Sequence, residues 1–305
     1  MNKKKDGFWQ NTWKHRAHVL MALPVVLILF FFSYVPIAGL CLAFKKFDVK
    51  LGLWKSPWVG FSNFSFLTAS KEIFVNMTAN TLIYYVIFTA LGTFLNVVLA
   101  IAIDQLVFKK ASKAMQSIMI VPVFISYAAV QFILYAYLST ESGMINTMFH
   151  SSIRWYSEAK YWRTILTIVK MWNSVGYGSV LYMSVLAGIS SDLYEAAQID
   201  GANKWQQIKH VTLPSLVPMI TIMLLLSVGG IMHSDTGLFY QVTRNSGTLY
   251  PTTQVIDSYI LNSIVKSTNF GFTAAASFFQ SIIGTGLMVI ANAVVRKVEP
   301  DNSLF

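Results

Sequence analysis

Residues 190–214 read SSDLYEAAQIDGANKWQQIKHVTLP, and this stretch decides how the rest of the chain is interpreted. Asp192 is a predicted helix N-cap, with Glu195 three residues later as its reciprocal partner. Gly201 permits a sharp turn that a β-carbon would resist. Pro214 stands where another helix begins, a position at which a missing N–H costs little. The stretch therefore predicts two short helices, joined by a turn and followed directly by a longer helix.

Each of these short helices has a largely apolar side. The residues on those sides are Leu193, Ala196, Ala197 and Ile199 in the first helix and Trp205, Ile208 and Val211 in the second. Physical chemistry alone leaves two interpretations open. The hairpin either lies against a bilayer surface or enters a groove of another protein.

The composition of the whole chain indicates a membrane protein. Of 305 residues, 55% are hydrophobic and 12% are charged, whereas soluble domains are about one quarter charged. A soluble fold of this size would leave large apolar patches exposed. The net charge is +10, but the basic residues lie mainly between and beside apolar runs. They therefore indicate solvated loops and headgroup anchors rather than a nucleic-acid surface.

Six apolar segments approach or exceed the roughly 20 residues that cross a bilayer as a helix. They cover residues 19–44, 79–103, 115–138, 164–187, 213–232 and 273–295. The first is longer than the core of a signal peptide, so we expect it to be retained as a span. The fourth is the most polar. The prediction is an all-α polytopic membrane protein.

The distribution of Lys and Arg predicts the orientation. Six spans place both termini on one side, and with the termini inside, the cytoplasmic segments hold twelve Lys and Arg residues. The opposite side holds ten in much longer loops. We therefore expect cytoplasmic termini, although the contrast is modest.

Motifs for catalysis or metal binding are absent from the sequence. The dipeptide Gly-Lys never occurs, so the chain has no phosphate-binding loop for ATP. Cys41 is the only cysteine, and the five histidines lack ligand spacing. We therefore predict no catalytic residue, no metal site and no bound cofactor.

Residues 190–214 resemble the EAA loop of binding-protein-dependent ABC importer permeases. That pattern is E-A-A, three residues, G, nine residues, a β-branched aliphatic residue, one residue, and L-P. The matching residues are Glu195, Ala196, Ala197, Gly201, Val211, Leu213 and Pro214. The variant Asp200-Gly201-Ala202 is typical of the sugar-importer branch.

Other segments are similar to the LplB-like branch of this family, which is associated with oligosaccharides and polysaccharide fragments, often acidic or plant-derived. These segments are residues 155–157, 237–247, 249–253 and 301–305. His233-Ser234-Asp235-Thr236 departs from the pattern, because an aromatic residue is expected near Thr236.

The resemblance implies the type I ABC importer permease fold, with six transmembrane helices and a cytoplasmic helix–turn–helix coupling loop. We expect the following division: 1–18, cytoplasmic N-terminal segment; 19–44, first transmembrane helix; 45–78, extracellular loop; 79–295, permease core containing the coupling loop at 190–214; and 296–305, cytoplasmic tail.

The implied function is that of a permease subunit in a bacterial plasma membrane. It would form half of the path for an oligosaccharide or polysaccharide fragment. Its implied partners are a second homologous permease in a heterodimer, a cytoplasmic ATPase dimer that binds ATP and Mg, and an extracellular solute-binding lipoprotein. Membrane lipid is a further partner, and nucleic acid is not. The residues implied to couple to the ATPase are Glu195, Ala196, Ala197, Asp200, Gly201, Ala202, Leu213 and Pro214.

Polar and aromatic residues inside the spans are candidates for the substrate path. They are Trp172, Asn173, Tyr177, Lys170, Gln131, Tyr135, Tyr85 and Gln280. Hydrogen bonding between helices is the competing explanation for each polar residue. Lys170 lies about two turns inside the predicted outer surface, where it either reaches the interface or meets an acidic sugar. We favour the interface.

Three alternatives remain open. A permease of the same family can carry a non-sugar solute. A self-sufficient secondary transporter requires inverted repeats or acidic residues inside the spans, and Asp104 is only at a span edge. A membrane-embedded enzyme lacks a recognisable catalytic cluster. The sequence does not identify the solute, the residues that touch it or the partner ATPase.

Overall fold

The structure is a computed structural model that describes residues 14–65, 71–106, 108–267, 270–298, 300 and 303. Throughout these residues the regular elements are helices, and the only extended pairing is a single bridge between Lys45 and Trp58. The all-α fold class is therefore confirmed. The predicted segments 1–18 and 296–305 lie partly outside the described residues.

The described residues contain nine longer helical elements. They are α1 (Arg16–Leu29, continued by a π-helix Phe30–Tyr34 and a 3-10 helix Val35–Phe44), α2 (Lys71–Asp104), α3 (Lys109–Ile120), α4 (Tyr127–Leu138), α5 (Trp162–Leu186), α6 (Ser191–Ile199), α7 (Lys204–Gly229, including a π-helix Ile208–Thr212), α8 (Ile256–Ser267) and α9 (Phe270–Val298). Short helical turns cover Gly52–Lys55, Gly60–Ser65, Val121–Phe124, Met144–Met148, Trp155–Ser157, Ala159–Tyr161, Gly237–Val242, Gly247–Leu249 and Tyr250–Thr253.

Four of these helices are long and apolar enough to cross a membrane, namely α1, α2, α7 and α9. A fifth span is obtained if α3 and α4 together count as one, so the predicted number of six is not confirmed in the described residues. The fourth predicted segment forms α5, which has 25 residues but a more polar composition.

The third predicted segment, 115–138, is not one straight helix. Its two halves meet at 94° across a short break. Pro122 interrupts the ladder of backbone hydrogen bonds because it has no N–H. Four residues later, the Ser126 hydroxyl accepts a hydrogen bond from Ala129 N at 3.3 Å and caps α4. These two residues give the physical reason for the break.

Contacts divide the chain into two units. The first comprises the described parts of 1–66 and 269–278. Its aromatic cluster includes Phe44 and Phe278, whose ring centroids are 5.3 Å apart. Its Lys45 is buried, donates from Nζ to Leu53 O at 3.0 Å and to Trp54 O at 2.9 Å, and lies over the Trp58 ring.

The second unit comprises the described parts of 67–268 and 279–305. Its larger core forms where α2, α5 and residues 238–255 meet, around Tyr84, Trp162 and Phe239. Its smaller core forms where α2, α5 and α7 meet, around Val97, Tyr182 and Leu216. This unit therefore contains both the EAA stretch and all eight candidate path residues.

Candidate functional site

The helix α6 begins at a different cap from the one predicted. Ser190 has an extended backbone, and its hydroxyl accepts a hydrogen bond from Asp192 N at 3.2 Å. Asp192 instead lies in the first turn, so the predicted Asp192 N-cap is wrong. The positive end of the helix dipole still stabilises its carboxylate at that position.

The turn expected at Gly201 is present. Gly201 has a φ of +78°, a left-handed conformation that a β-carbon disfavours. Ala202 N donates to Ala197 O at 2.8 Å, and Gly201 N donates to Gln198 O at 3.0 Å. This pair of bonds is a Schellman motif, which satisfies carbonyls at the end of α6.

The start of α7 is stabilised by a capping box that the sequence analysis missed. Asn203 Oδ1 accepts from Gln206 N at 3.0 Å, and Gln206 Oε1 accepts from Asn203 N at 2.7 Å. The signal was present as Asn followed three residues later by Gln. The adjacent Gln207 is buried and donates to Ala202 O at 3.0 Å.

A second contact ties the two helices of the hairpin together. The hydroxyls of Tyr194 on α6 and Thr212 on α7 are 3.0 Å apart, and Thr212 is fully buried. Because the turn, the capping box and this contact all lie between Tyr194 and Thr212, they hold α6 against the beginning of α7. Neither Tyr194 nor Thr212 was among the predicted functional residues.

The outer face of the hairpin is both apolar and exposed. Within α6 every side chain is at least partly accessible, and Glu195 and Ala196 are exposed. Large apolar side chains are also exposed, with Ile199 at 87% and Trp205 at 79%. Exposed apolar surface of this kind is typical of a protein or membrane interaction site.

Two cavities that share lining residues contain part of the predicted substrate path. One of 170 Å³, here called the ion-pair cavity, is lined by residues that include Tyr85, Lys170 and Asp235. One of 310 Å³, here called the Tyr177 cavity, is lined by residues that include Asn96 and Tyr177. Both are bordered by Phe88 and Thr89. The structure thus places Tyr85, Lys170 and Tyr177 in the linings of these two neighbouring cavities.

Lys170 has a carboxylate partner, and its expected position near the membrane interface stays a prediction. Its Nζ lies 3.1 Å from Asp235 Oδ2, and the two side chains are 24% and 33% exposed. Asp235 belongs to the four residues that depart from the family pattern. No local pattern links the two positions, which are 65 residues apart.

His233 and Ser234, which precede Asp235, are held by Asp257 of α8. Asp257 Oδ2 accepts a hydrogen bond from Ser234 N at 2.6 Å, and Asp257 Oδ1 lies 3.6 Å from His233 Nδ1. Hydrogen bonding to Asp257 raises the pKa of His233, while partial burial opposes this shift. The turn at 233–235 is therefore tied to both α8 and α5.

The Tyr177 cavity has unused hydrogen-bonding capacity. Asn96 Oδ1 is buried and has no hydrogen-bond partner among the described residues. Tyr177 is 59% exposed. Nearby, the hydroxyls of Tyr85 and Ser227 are 2.9 Å apart. In the described chain, Asn96 thus keeps an unsatisfied acceptor beside this cavity.

Two of the predicted path residues already use their amides inside the protein. Asn173 is buried, donates to Pro122 O at 2.8 Å and accepts from the Tyr127 hydroxyl at 3.2 Å. Gln280 is buried and donates to Met232 O at 2.6 Å. These contacts match the competing explanation, bonding within the helix bundle.

The remaining predicted path residues lie elsewhere. Trp172 lines an apolar cavity of 380 Å³ with Met119 and Pro122, and Gln131 is half-buried on α4. The guanidinium of Arg244 lies 4.3 Å from the Tyr135 ring centroid.

Next to Tyr135 lies Tyr156, whose buried hydroxyl has no described hydrogen-bond partner. Burial raises the pKa of Tyr156 to about 12, and Arg244 opposes the shift. The structure thus separates these aromatic residues from the ion-pair cavity, and their contact with a substrate stays a prediction. Within the described part of the chain, His, Cys, Asp and Glu form no group of three that could hold a metal ion.

Comparison with known proteins identifies a family and several relatives. The model of the binding-protein-dependent transport system inner membrane component family matches residues 92–300. Protein LplB of Bacillus subtilis (strain 168) is 26% identical over 286 residues, which is 92% of this chain and 89% of that protein. The polygalacturonan/rhamnogalacturonan transport system permease protein YteP of the same organism is 25% identical, with 91% and 87% covered.

Two solved structures are similar over almost the whole chain. One is a bacterial ABC transporter involved in the import of the acidic polysaccharide alginate, with a TM-score of 0.84, 27% identity, and coverage of 95% of this chain and 99% of that chain. The other is a bacterial alginate ABC transporter in complex with an alginate pentasaccharide-bound periplasmic protein, with a TM-score of 0.83, 27% identity, and coverage of 95% and 98%.

Proposed function

We propose a function on the premise that this chain belongs to the binding-protein-dependent transport system inner membrane component family, whose model matches residues 92–300. The chain is the permease subunit of an ATP-driven importer. It forms half of the translocation path for an oligosaccharide or polysaccharide fragment that an extracellular solute-binding protein delivers. The sugar-transport relatives and the alginate importer structures support this substrate class.

The proposed complex contains a second homologous permease and a dimer of ATPase subunits. ATP and Mg²⁺ bind to the ATPase, and this chain performs no hydrolysis. It lies in a bacterial plasma membrane with both termini in the cytoplasm. The hairpin α6–α7 would then face the cytoplasm, where the ATPase can reach it.

The observation that carries the proposal is the exposed face of a well-fixed hairpin in the EAA register. Glu195 would face a basic residue of the ATPase, and Ala196 and Ala197 would allow close approach. Gly201, Ala202 and Asp200 would hold the turn, and Leu213 and Pro214 would begin the span that follows. Exposed Ile199 and Trp205 support a protein partner, because so much apolar surface is costly in water.

Transport energy would enter through this contact. ATP binding closes the ATPase dimer. If the hairpin binds the closed dimer more tightly than the open one, ATP binding shifts the permease from the inward-open to the outward-open state. The size of that shift cannot exceed the difference between the two affinities. If the contact between the hairpin and the ATPase is weakened, substrate should no longer stimulate ATP hydrolysis.

The test uses the complete complex in nanodiscs. This chain is co-expressed with its partner permease and ATPase, and ATP hydrolysis is measured with the solute-binding protein and saccharide added. We expect Glu195→Ala and Gly201→Trp to remove most of the stimulation. Glu141→Ala and Gly52→Trp are matched controls. Glu141 is exposed, and Gly52 has a φ of +69° in open space.

The outcomes separate the alternatives. Loss of stimulation in the hairpin variants, with both controls active, supports the coupling role. If ATP hydrolysis in the Gly201→Trp variant is stimulated as fully as in wild type, the hairpin does not couple the ATPase to transport. A chain that neither copurifies with an ATPase nor stimulates one would sink the importer assignment and favour a secondary transporter.

A further inference from the structure

The ion-pair cavity combines charged, hydroxyl-bearing and aromatic side chains in a small space. Its volume is 170 Å³, below the range of roughly 300–1,000 Å³ that is usual for pockets enclosing drug-sized ligands. A single sugar unit is therefore the largest part of a saccharide chain that it can surround. Tyr85, Phe88 and Phe239 supply flat apolar surfaces, which suit the C–H faces of a pyranose ring.

The charged side chains that line this cavity, Lys170, His233 and Asp235, each face a group of opposite charge. Lys170 is paired with Asp235 at 3.1 Å, and His233 lies 3.6 Å from Asp257. These four groups sum to zero when His233 is protonated and to one negative charge when it is neutral. Each of the two cationic residues lining the cavity therefore already has a carboxylate partner.

The Lys170–Asp235 pair retains hydrogen-bonding capacity for a ligand. An ammonium group has three donors, and Lys170 uses one of them on Asp235. Asp235 Oδ1 receives a long bond from Leu238 N, at 3.4 Å, and the Tyr127 hydroxyl also interacts with this carboxylate. Because both side chains are partly exposed and line the cavity, neighbouring hydroxyls of a sugar can donate to the carboxylate and accept from the ammonium. Hydrogen bonds to charged groups are stronger than those between neutral groups.

A sugar carboxylate would fit this arrangement poorly. It would compete with Asp235 for Lys170 and would lie within a few ångströms of a second carboxylate. Two like charges at that distance repel strongly outside bulk water. The site thus favours hydroxyl groups over an acidic group.

We infer that the ion-pair cavity is a subsite for one uncharged sugar unit, bound through its hydroxyls by Lys170 and Asp235, and that it discriminates against uronates. This inference rests on the proposed import of saccharides and names their class. It sets the chain apart from the similar importer of an acidic polysaccharide.

The experiment measures uptake by the complete complex in proteoliposomes containing ATP. The probes are two matched pairs of trisaccharides, galacturonate with its carboxyl-reduced galactose form and glucuronate with its carboxyl-reduced glucose form. The quantity of interest is the ratio of acidic to neutral uptake in each pair. The same solute-binding protein is used throughout, so its own preference cancels when a variant is divided by wild type.

The expected result is a change in this ratio, relative to wild type, when the charge of the Lys170–Asp235 pair is altered. Asp235→Asn leaves Lys170 without its carboxylate partner and should raise the ratio by about tenfold. The double variant Lys170→Asp with Asp235→Lys restores neutrality and should return the ratio toward wild type, which keeps the test decisive if the single variant is unstable. Glu158→Gln, which removes the carboxylate from an exposed pair with Lys160, is the matched control and should leave the ratio unchanged.

An unchanged ratio in Asp235→Asn would overturn the inference while leaving saccharide import intact. Failure of wild type to take up any saccharide, with no stimulation of the ATPase, would overturn both the inference and the proposed function.

Discussion

The stability of this protein depends on pH through the interaction of His233 with Asp257. Its side chain is half-exposed, and its hydrogen bond to Asp257 raises its pKa above the usual value of about 6.5. Because the folded state holds the proton of His233 more tightly than the unfolded state does, protonated His233 stabilises the fold. This stabilisation is complete below the pKa that His233 has in the unfolded chain. It is lost as the pH rises through the raised, folded pKa.

We therefore predict that the thermal midpoint of wild type falls more steeply than that of His233→Gln between about pH 6 and pH 8. The measurement is thermal unfolding of the purified chain in detergent at several pH values. The four other histidines are present in both proteins, so the difference isolates His233. Parallel profiles would contradict the prediction.

Single residues also show what the sequence can and cannot predict. Gly201 was predictable because few other residues adopt a positive φ readily. The choice of Ser190 over Asp192 as cap was not, because both residue types cap helices well and the entry path of the chain decides between them. The partner of Lys170 was also not predictable, because the tertiary fold alone brings Asp235 to it.

Helix α5 packs so closely against its neighbours that glycine is required at its contact with α3. A β-carbon on Gly176 would overlap the backbone carbonyl of Met119, and backbone cannot move aside as a flexible side chain can. We predict that Gly176→Ala lowers the free energy of unfolding by about 1–3 kcal/mol or prevents folding. Fluorescence-detected size-exclusion chromatography after heating measures this loss.

The matched control is Gly286→Ala in α9, where a β-carbon would meet open space. Alanine is the better helix former by about 0.5–1 kcal/mol, so this variant should be at least as stable as wild type. Equal stability of both variants would show that α3 and α5 are not as close as described.

Element boundaries illustrate a different limit of sequence analysis. Length and hydropathy predicted one helix over 115–138, although Pro122 and Ser126 carried the local signals for a break. Average hydropathy does not register such signals. Conversely, the polarity that marked α5 as unusual is partly explained by internal bonds, because the amide of Asn173 joins Pro122 and Tyr127 across the bend.

At the scale of the whole molecule, composition sufficed to place the chain in a membrane, while the count of spans and the orientation needed more. The excess of Lys and Arg on the predicted inner side is only twelve against ten. Charge asymmetry of that size gives a direction that requires a direct test.

We predict that Trp54 and Trp205 lie on opposite sides of the membrane. In a Cys41→Ser background, Trp54→Cys should react with a membrane-impermeant maleimide on intact cells, and Trp205→Cys should react only after permeabilisation. The two positions are matched because both side chains are well exposed, at 76% and 79%. The reverse labelling pattern would invert the proposed topology.

The continuity of α7 has a practical consequence. Its 26 residues span about 39 Å, which exceeds the roughly 30 Å hydrocarbon thickness of a bilayer. The hairpin lies at one end, and the turn containing Asp235 follows the other. The emission of a fluorescent dye attached at that turn should therefore change whenever nucleotide on the other side of the membrane moves the hairpin. Turnovers of single transporters could then be counted from outside the cell.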